Sequence, residues 1–210
     1  MLQHHPPQMR LPSNPDLKLN STSHTRHPIH PITPPIPGHE DAGMGRIVRF
    51  TEPQPLLSLI ERIARGVGNP KGFPIAIPQG KTVEEIQIRS VGICAGSGGS
   101  LLQGLDVDLL FTGELGHHEA LAAIEAGRCV VTLFHSNTER GFLQVLRERL
   151  EKALREEWEG LRSELKGILA LPDNGGAEDM QEALDDESVV VDCSERDRDP
   201  YGIVIRKGEV

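Results

Sequence analysis

The sequence predicts an α/β protein: a sheet with helices packed on it through β-α-β units, in one domain that follows a disordered N-terminal tail. Two strand-turn-helix units follow each other in residues 107–139, and helical apolar spacing recurs on both sides of them. The first 42 residues, in contrast, hold nine of the 16 prolines and six of the nine histidines. Strand-like runs that alternate with helical patterns are typical of β-α-β units and a parallel sheet.

Residues 1–42 are predicted to be a Pro/His-rich disordered tail or linker. Proline fixes φ and keeps the preceding residue out of the α region, so a segment this rich in proline favours extended chain without a core. Histidines such as His4 and His5 could bind a metal adventitiously, but solvated histidines are the simpler interpretation.

The predicted domain spans residues 43–206 and begins with a short strand within residues 43–50. A helix follows, ended by Gly66 and Gly68, because apolar residues recur there at helical spacing. These residues are Leu56, Leu59, Ile60, Ile63 and Ala64. Residues 73–77 are predicted to be extended and, because of their prolines, to lie at an edge of the sheet or outside it.

Residues 86–94 alternate at first and become apolar later, which is typical of a strand that enters a covered sheet. The glycine-rich residues 95–100 follow, and a tight turn here would expose backbone N–H groups at the start of a short helix. Such a turn could bind an anion or hold no ligand. Its spacing matches neither a P-loop nor a full dinucleotide-binding fingerprint.

The main functional prediction comes from residues 107–139. The strand at residues 107–111 ends in Thr112-Gly-Glu114, a helix covers residues 117–126, and the strand at residues 129–134 ends at His135. Parallel strands joined by a crossover end at the same edge of a sheet, where α/β proteins bind ligands. We therefore expect Thr112, Glu114 and His135 to converge.

His135 and Glu139 are four residues apart where a helix begins. That spacing places their Cβ atoms about 5–6 Å apart on one helical face, so an imidazole and a carboxylate could bind one cation. An exposed polar pair at a helix start is the alternative interpretation. His117 and His118 are further candidates, although adjacent helical residues point in different directions, so at most one of them is expected to face the site.

Beyond this unit, residues 141–167 are predicted to form a long amphipathic helix with a solvated charged face. An acidic loop insertion is expected at about residues 170–188. Residues 189–193 and 202–205 are predicted to be a last strand and a terminal extended piece.

Charge and composition exclude several classes of protein. Residues 147–199 hold 8 Lys/Arg and 17 Asp/Glu, so the net charge of −9 arises there and no basic face recommends direct nucleic-acid binding. No apolar run reaches the ~18 residues that span a bilayer. The three widely spaced cysteines indicate reduced thiols in an intracellular protein, with Cys94 and Cys129 as small buried hydrophobes. We expect a cytoplasmic protein, with the nucleus or mitochondria as alternatives.

Several ordered motifs resemble the second half of the NGG-interacting factor three (NIF-three-like) family, over about residues 39–206. The motifs are Gly43-Met-Gly-Arg46, Gly96-Ser-Gly-Gly99, Thr112-Gly-Glu-Leu-Gly-His-His118, Ala123-x-Glu-Ala-Gly127, His135-x-x-x-Glu139 and Asp197-x-Asp-Pro200. The resemblance implies a fold of two α/β halves with a two-metal site between them. It also implies ring-shaped homo-oligomers and a likeness to GTP cyclohydrolase type 2.

Carried onto this chain, the resemblance implies that His135 and Glu139 are ligands of a divalent metal such as zinc, manganese or iron. Thr112, Glu114, His117 and His118 would support these ligands or contact the substrate. In the family a histidine pair and an aspartate of the N-terminal half complete the site. Residues 26–29 are more similar to the linker between halves in fungal-type members, so we expect this chain to correspond to one half.

Three functions follow as expectations. The first is half of a metal site in a hydrolase-like protein that acts on a nucleotide-like or other phosphorylated small molecule, with catalysis by this chain alone left open. The second is a non-catalytic interaction protein linked to transcriptional regulation, with the acidic insertion as docking element. The third is a truncated product without independent function, which would leave apolar surface uncovered.

Overall fold

The structure is a computed structural model that describes residues 22–169, 184–185, 188–197 and 199–202. The chain divides into two compact units, the first made of residues up to 138 and from 199 onward, and the second of residues 139–198. Each unit is described by itself.

Twelve helices and strands are assigned in the described residues. In chain order they are β1 (His24–His27), β2 (His30–Pro31), β3 (Gly43–Met44), β4 (Arg46–Pro55), α1 (Leu56–Gly66), β5 (Ile75–Ala76), β6 (Gln87–Ser97), α2 (Gly99–Leu102), β7 (Leu109–Glu114), α3 (His117–Glu125), β8 (Cys129–Thr132) and α4 (His135–Leu169). All but α4 lie wholly in the first unit, which confirms the predicted α/β class.

The main sheet of the first unit has six strands in the order β1-β4-β6-β7-β8-β5. The central pairs β6–β7 and β7–β8 are parallel, whereas β1, β4 and β5 join antiparallel. β2 and β3 form a separate two-stranded ribbon. Only two residues long and close to Pro74 and Pro78, β5 lies at the edge of the sheet, as the prolines predicted.

Helices cover both faces of this sheet, because successive residues of its central strands point to opposite sides. Leu109 and Val131 pack in one buried cluster with Leu56 and Ile60 of α1. Their neighbours Leu110 and Val130 pack in a second cluster with Leu102 of α2 and Ala123 of α3. The central strands are therefore apolar on both sides, and polar groups concentrate where the strands end.

The boundary between the predicted tail and the domain is corrected by β1. His24 to His27 pair antiparallel with Phe50 to Ile47, so sheet structure begins about 20 residues earlier than residue 43. All four β1 side chains are exposed. Because the strand is held by backbone pairing at a sheet edge, its sequence carries no apolar alternation that could have predicted it. Residues 1–21 lie outside the described residues.

The second unit contains α4 from Glu139 onward and residues 188–197 beside it. A last strand was predicted at residues 189–193, and this prediction is wrong, since no strand is assigned there. Arginine side chains of α4 bind the carbonyl groups of this segment instead, with Arg155 Nη2 at 3.2 Å from the Val189 oxygen. Residues 203–205 and most of the acidic insertion lie outside the described residues.

Candidate functional site

Three parallel strands of the first unit end at one edge of the sheet. Thr112 of β7 is in register with Thr132 of β8, and Glu114 of β7 is in register with Ser97 of β6. α4 begins three residues after Thr132, at His135. The register therefore brings the polar residues at the ends of β6 and β7 and the start of α4 to the same place, as predicted from the order of strands and helices.

His135 and Glu114 are two predicted site residues that lie close together at this edge. Nδ1 of His135 lies 3.5 Å from Oε2 of Glu114, and the two side chains are 47% and 51% exposed. A half-exposed imidazole beside a half-exposed carboxylate is accessible to solute and can still be oriented by its neighbour. We refer to Glu114 and His135 as the rim pair.

A chain of hydrogen bonds fixes the backbone around the rim pair. Thr112 is buried at 1% exposure, and its hydroxyl donates to the carbonyl oxygen of Gly96 at 3.0 Å. The Gly96 N–H donates to Oγ1 of Thr138 at 2.9 Å, and that hydroxyl donates to the His135 carbonyl at 2.8 Å. The hydroxyl of Thr112 thus supports the last residues of β6, which contact the first turn of α4.

Close packing of backbone at the rim depends on Gly113. A Cβ atom at Gly113 would lie 2.7 Å from the carbonyl oxygens of both Gly96 and Phe134 and 2.9 Å from Oγ1 of Thr138. Glycine is the residue that permits this approach of β6, β7 and α4. Phe134 itself has a φ of +66°, which is a strained conformation for a bulky residue. The strain lies immediately before His135.

The amino end of α4 is capped by Asp199, a residue that lies more than 60 positions later in the chain. The carboxylate of Asp199 accepts hydrogen bonds from the backbone N–H groups of Ser136 and Asn137 at 3.3 and 2.8 Å, and from the Ser136 hydroxyl at 3.1 Å. These N–H groups have no partner within the helix, and a negative charge is favourable at that end.

His117 and His118 occupy the first turn of α3, and both are exposed. Their rings meet edge to face with centroids 5.2 Å apart. His118 also lines a cavity of about 360 Å³ between α2 and α3, together with Leu102, Ala123 and Arg128. His118 therefore faces this cavity, whose lining does not include the rim pair.

The predicted ligand Glu139 lies one helical turn after His135 on α4 and is exposed. Within the described part of the chain, no three His, Cys, Asp or Glu side chains are grouped so that they could hold a metal ion. A catalytic zinc site normally has three protein ligands. The described residues thus offer an imidazole and carboxylates of suitable chemistry, but not a complete ligand set.

Thr138 and Asp199 have structural roles at the rim that the sequence pattern does not indicate. Thr138 follows His135 by three residues, and its hydroxyl bonds two backbone groups at once. Asp199 belongs to the Asp197-x-Asp-Pro200 motif, which the sequence connects only with the family resemblance. An acceptor residue far along the chain from a helix start gives no local signal, because ordinary caps lie beside the helix they close.

Cys94 and Cys129 do not have the lowered thiol pKa of a reactive cysteine. Cys129 is 1% exposed, and burial raises the pKa of its thiol to about 11, which confirms the prediction of a small buried hydrophobe. Cys94 is only partly buried, and the same effect raises the pKa of its thiol. Neither thiol is activated as a nucleophile, since activation requires a lowered pKa.

Fold and site together define an α/β protein in which a histidine and a carboxylate lie where its parallel strands end, the edge at which open α/β sheets bind ligands. The chain belongs to the Duf34/NIF3 (NGG1p interacting factor 3) family, whose profile matches residues 4–165. The predicted family resemblance is therefore confirmed. In the described part of the chain, no helix is both long and apolar enough to cross a membrane.

Proteins of other organisms are similar to about half of this chain. NIF3-like protein 1 of Rattus norvegicus is 46% identical over 108 residues, which are 51% of this chain and 28% of the relative. NGG1-interacting factor 3 of Saccharomyces cerevisiae is 38% identical over 104 residues, which are 49% of this chain and 36% of the relative. The chain thus spans about a third of the length of these relatives.

Among solved structures, a Bacillus cereus protein related to NIF3 superposes with a TM-score of 0.47 and 21% identity, covering 57% of this chain and 32% of that one.

Proposed function

We propose that this chain supplies one wall of a divalent-metal site in a hydrolase-like protein. The observation that carries the proposal is the rim pair, with Nδ1 of His135 at 3.5 Å from Oε2 of Glu114 on an exposed edge. Imidazole nitrogen and carboxylate oxygen are ligands that zinc, manganese and iron all accept. Glu139, four residues after His135, is the second ligand that the sequence spacing supplies.

Glu114 has a distinct part in this proposal. Metal-binding histidines commonly donate their second ring N–H to a carboxylate, which fixes the tautomer and the direction of the ring. Because Glu114 lies on the Nδ1 side of His135, the cation would be bound through Nε2. Glu114 is therefore a positioning residue, while His135 and Glu139 are the ligands. The cation, when bound, would polarise a substrate oxygen and lower the pKa of a coordinated water.

The remaining ligands must come from elsewhere. The described residues hold no group of three candidate ligands, and the chain covers only 28–41% of relatives such as the rat protein and its Schizosaccharomyces pombe homologue. We infer that a further segment or a second chain completes the site. Because the ligand set is incomplete, this chain alone is expected to bind metal weakly and to turn over no substrate. The substrate class that the family resemblance suggests is a nucleotide-like or other phosphorylated small molecule.

Metal analysis tests the proposal. The full chain is dialysed to equilibrium against zinc, manganese or ferrous iron, and the metal on both sides of the membrane is measured by mass spectrometry of the elements. We expect one of these metals to be retained and the His135→Ala variant to lose most of it. A His4→Ala/His5→Ala variant is the control for adventitious binding by the N-terminal histidines. Retention that is insensitive to His135 and lost in the control would overturn the proposal.

A second candidate function is that of an interaction protein with a partner in transcriptional regulation. It is favoured by the name of the yeast relative, NGG1-interacting factor 3, which is 38% identical over 104 residues. Affinity capture from nuclear and cytoplasmic extracts, with the full chain and with a variant that lacks residues 173–187, tests this candidate. Partner recovery that depends on the acidic segment supports it, whereas equal recovery by both proteins rules out that segment as the docking element.

A further inference from the structure

A small cavity with aromatic walls lies in the first unit, at the start of α4. Its volume is about 260 Å³. Three separate parts of the chain line it: the segment before β5, the residues that join β8 to α4, and the segment that follows Asp199. The lining side chains that matter here are Lys71, Phe73, Leu133, Phe134, Asn137 and Tyr201. We refer to this space as the aromatic cavity.

Aromatic side chains are rare in this protein, and several of them meet at this cavity. The sequence holds five Phe, one Tyr and one Trp, which are 3% of its residues. Three of these seven, Phe73, Phe134 and Tyr201, line the aromatic cavity. Aromatic side chains bind flat aromatic ligands by stacking, and nucleobases are the common biological case. The composition of the walls therefore favours a ligand with a planar ring.

Phe134 is placed for this cavity and not for the core. It is partly buried, yet it belongs to neither buried cluster of the described residues. Its φ of +66° is unfavourable for a bulky side chain, and such strain is concentrated at functional sites. Since its side chain contributes to the cavity wall and not to a core cluster, core packing does not account for a phenylalanine at this position.

Tyr201 forms an exposed wall of the cavity. The hydrogen bonds from the start of α4 to Asp199 hold the backbone two residues before it, while the tyrosine itself is 74% exposed. Phe73, in contrast, packs partly against the first buried cluster. The aromatic cavity thus has one wall that is continuous with the core and one aromatic wall that faces solvent, so a ligand can enter from solvent.

Two polar side chains at the cavity suit a nucleotide. The amide nitrogen of Asn137 donates to the carbonyl oxygen of Leu133 at 3.0 Å, which leaves its Oδ1 to accept a hydrogen bond from an N–H group of a base. Lys71 is exposed, and its ammonium group forms no ion pair within the described residues. Lysine is a common ligand of phosphate groups.

We propose that the aromatic cavity binds the base of a nucleotide, with Phe134 and Tyr201 against the ring and Lys71 toward the phosphate. The proposal rests on the proposed function and deepens it, because that function leaves a nucleotide and another phosphorylated molecule equally open. A cavity smaller than the ~300–1,000 Å³ of sites for whole drug-sized ligands holds the base and leaves ribose and phosphate outside. Phe134 directly precedes His135, so the bound ligand lies beside the rim pair.

Fluorescence titration of the full chain with 2-aminopurine riboside 5′-monophosphate, in the presence of EDTA, tests the proposal. We expect the probe to be quenched on binding, and GMP or AMP to displace it far better than ribose 5-phosphate does. Phe134→Leu and Tyr201→Ala should each weaken binding about tenfold, whereas Tyr201→Phe, which keeps the ring, should not. Phe142→Ala, which alters an exposed phenylalanine of α4, is the matched control. Circular dichroism checks that each variant is folded.

Lys71→Met should weaken binding of the monophosphate probe and leave binding of 2-aminopurine riboside, which has no phosphate, unchanged. An equal loss for both probes would overturn the role of Lys71. No binding of the probe up to about 1 mM would overturn the proposal. Equal displacement by ribose 5-phosphate, or wild-type affinity in the folded Tyr201→Ala variant, would overturn it as well. Because EDTA removes metal ions, these outcomes concern the cavity alone, whereas equilibrium dialysis without nucleotide concerns the metal site alone.

Discussion

The carboxylate of Asp199 accepts a hydrogen bond from the backbone N–H of Asn137 at 2.8 Å, although the two residues are 62 positions apart in the chain. The same carboxylate binds the N–H and hydroxyl of Ser136. His135 is the first residue of α4, so the residue that closes this helix also fixes the direction in which His135 leaves the sheet. The Asp197-x-Asp-Pro200 motif thus has a structural role at the rim.

Replacement of Asp199 by alanine should destabilise the first unit. Loss of a side-chain acceptor at a helix start costs about 0.5–2 kcal/mol, and a favourable charge is lost with it. Asp199→Asn keeps an acceptor oxygen and should cost less. Chemical unfolding followed by circular dichroism measures both. Asp197→Asn is the control, because Asp197 is 81% exposed and its ion pair with Arg140 is long at 3.8 Å. Equal effects of Asp199→Ala and Asp197→Asn would contradict the assigned role.

Two glycine-to-alanine changes should have opposite signs. Gly113→Ala forces a Cβ against two carbonyl oxygens at 2.7 Å, and overpacking of this kind costs about 1–3 kcal/mol. Gly160→Ala lies in the long helix with open space around it, and alanine there should stabilise α4 by about 0.5–1 kcal/mol. Thermal unfolding of the two variants checks the prediction. A neutral Gly113→Ala would show that β6, β7 and α4 do not approach so closely.

Stability should fall at high pH in a way that depends on Cys129. Burial raises the pKa of this thiol from 9.0 to about 11, so the folded protein holds a proton that the unfolded chain releases above pH 9. The stabilisation is fully present below pH 9 and is lost as the pH rises toward about 11, a change of about 2 kcal/mol in the free energy of unfolding. The difference between wild-type protein and Cys129→Val, measured by urea unfolding from pH 8 to 11, isolates this contribution. Parallel pH profiles for the two proteins would contradict it.

The parts of the fold that the sequence predicts well are those with strong apolar periodicity. The stripe of α1 and the apolar runs of β7 and β8 are buried against each other, so their pattern reflects the core directly. β1 was missed because its four side chains are all exposed and backbone pairing alone holds it in the sheet. The three consecutive valines at residues 189–191 favour a strand, but no strand is assigned there, and Arg155 of α4 binds the carbonyl of Val189.

The candidate site was predictable only in part. Strand order and the rule for parallel crossovers bring Glu114 and His135 together, and the structure shows them 3.5 Å apart. The bonds from Gly96 to Thr138 and from Asn137 to Asp199 join residues 42 and 62 positions apart. No local spacing encodes such pairs, so only the folded chain shows that these residues hold the rim in place.

The central claim of the proposed function is that His135 binds a divalent cation and that Glu114 orients the His135 ring. Titration calorimetry of zinc into the full chain, at fixed pH and with the His4→Ala/His5→Ala change as background, measures this directly. We expect His135→Ala to weaken zinc binding more than Glu114→Gln does, while leaving an affinity that can still be measured. Glu114→Gln should weaken zinc binding about 10–100-fold, the usual effect of removing a carboxylate that supports a metal-binding histidine.

The variant that carries both changes tests whether His135 and Glu114 act together in zinc binding. If the rim pair acts as one unit, His135→Ala/Glu114→Gln should bind zinc no more weakly than His135→Ala alone, because the support has no effect once its ligand is gone. Additive losses from the two changes, or zinc affinity that is unaltered by His135→Ala, would contradict the account.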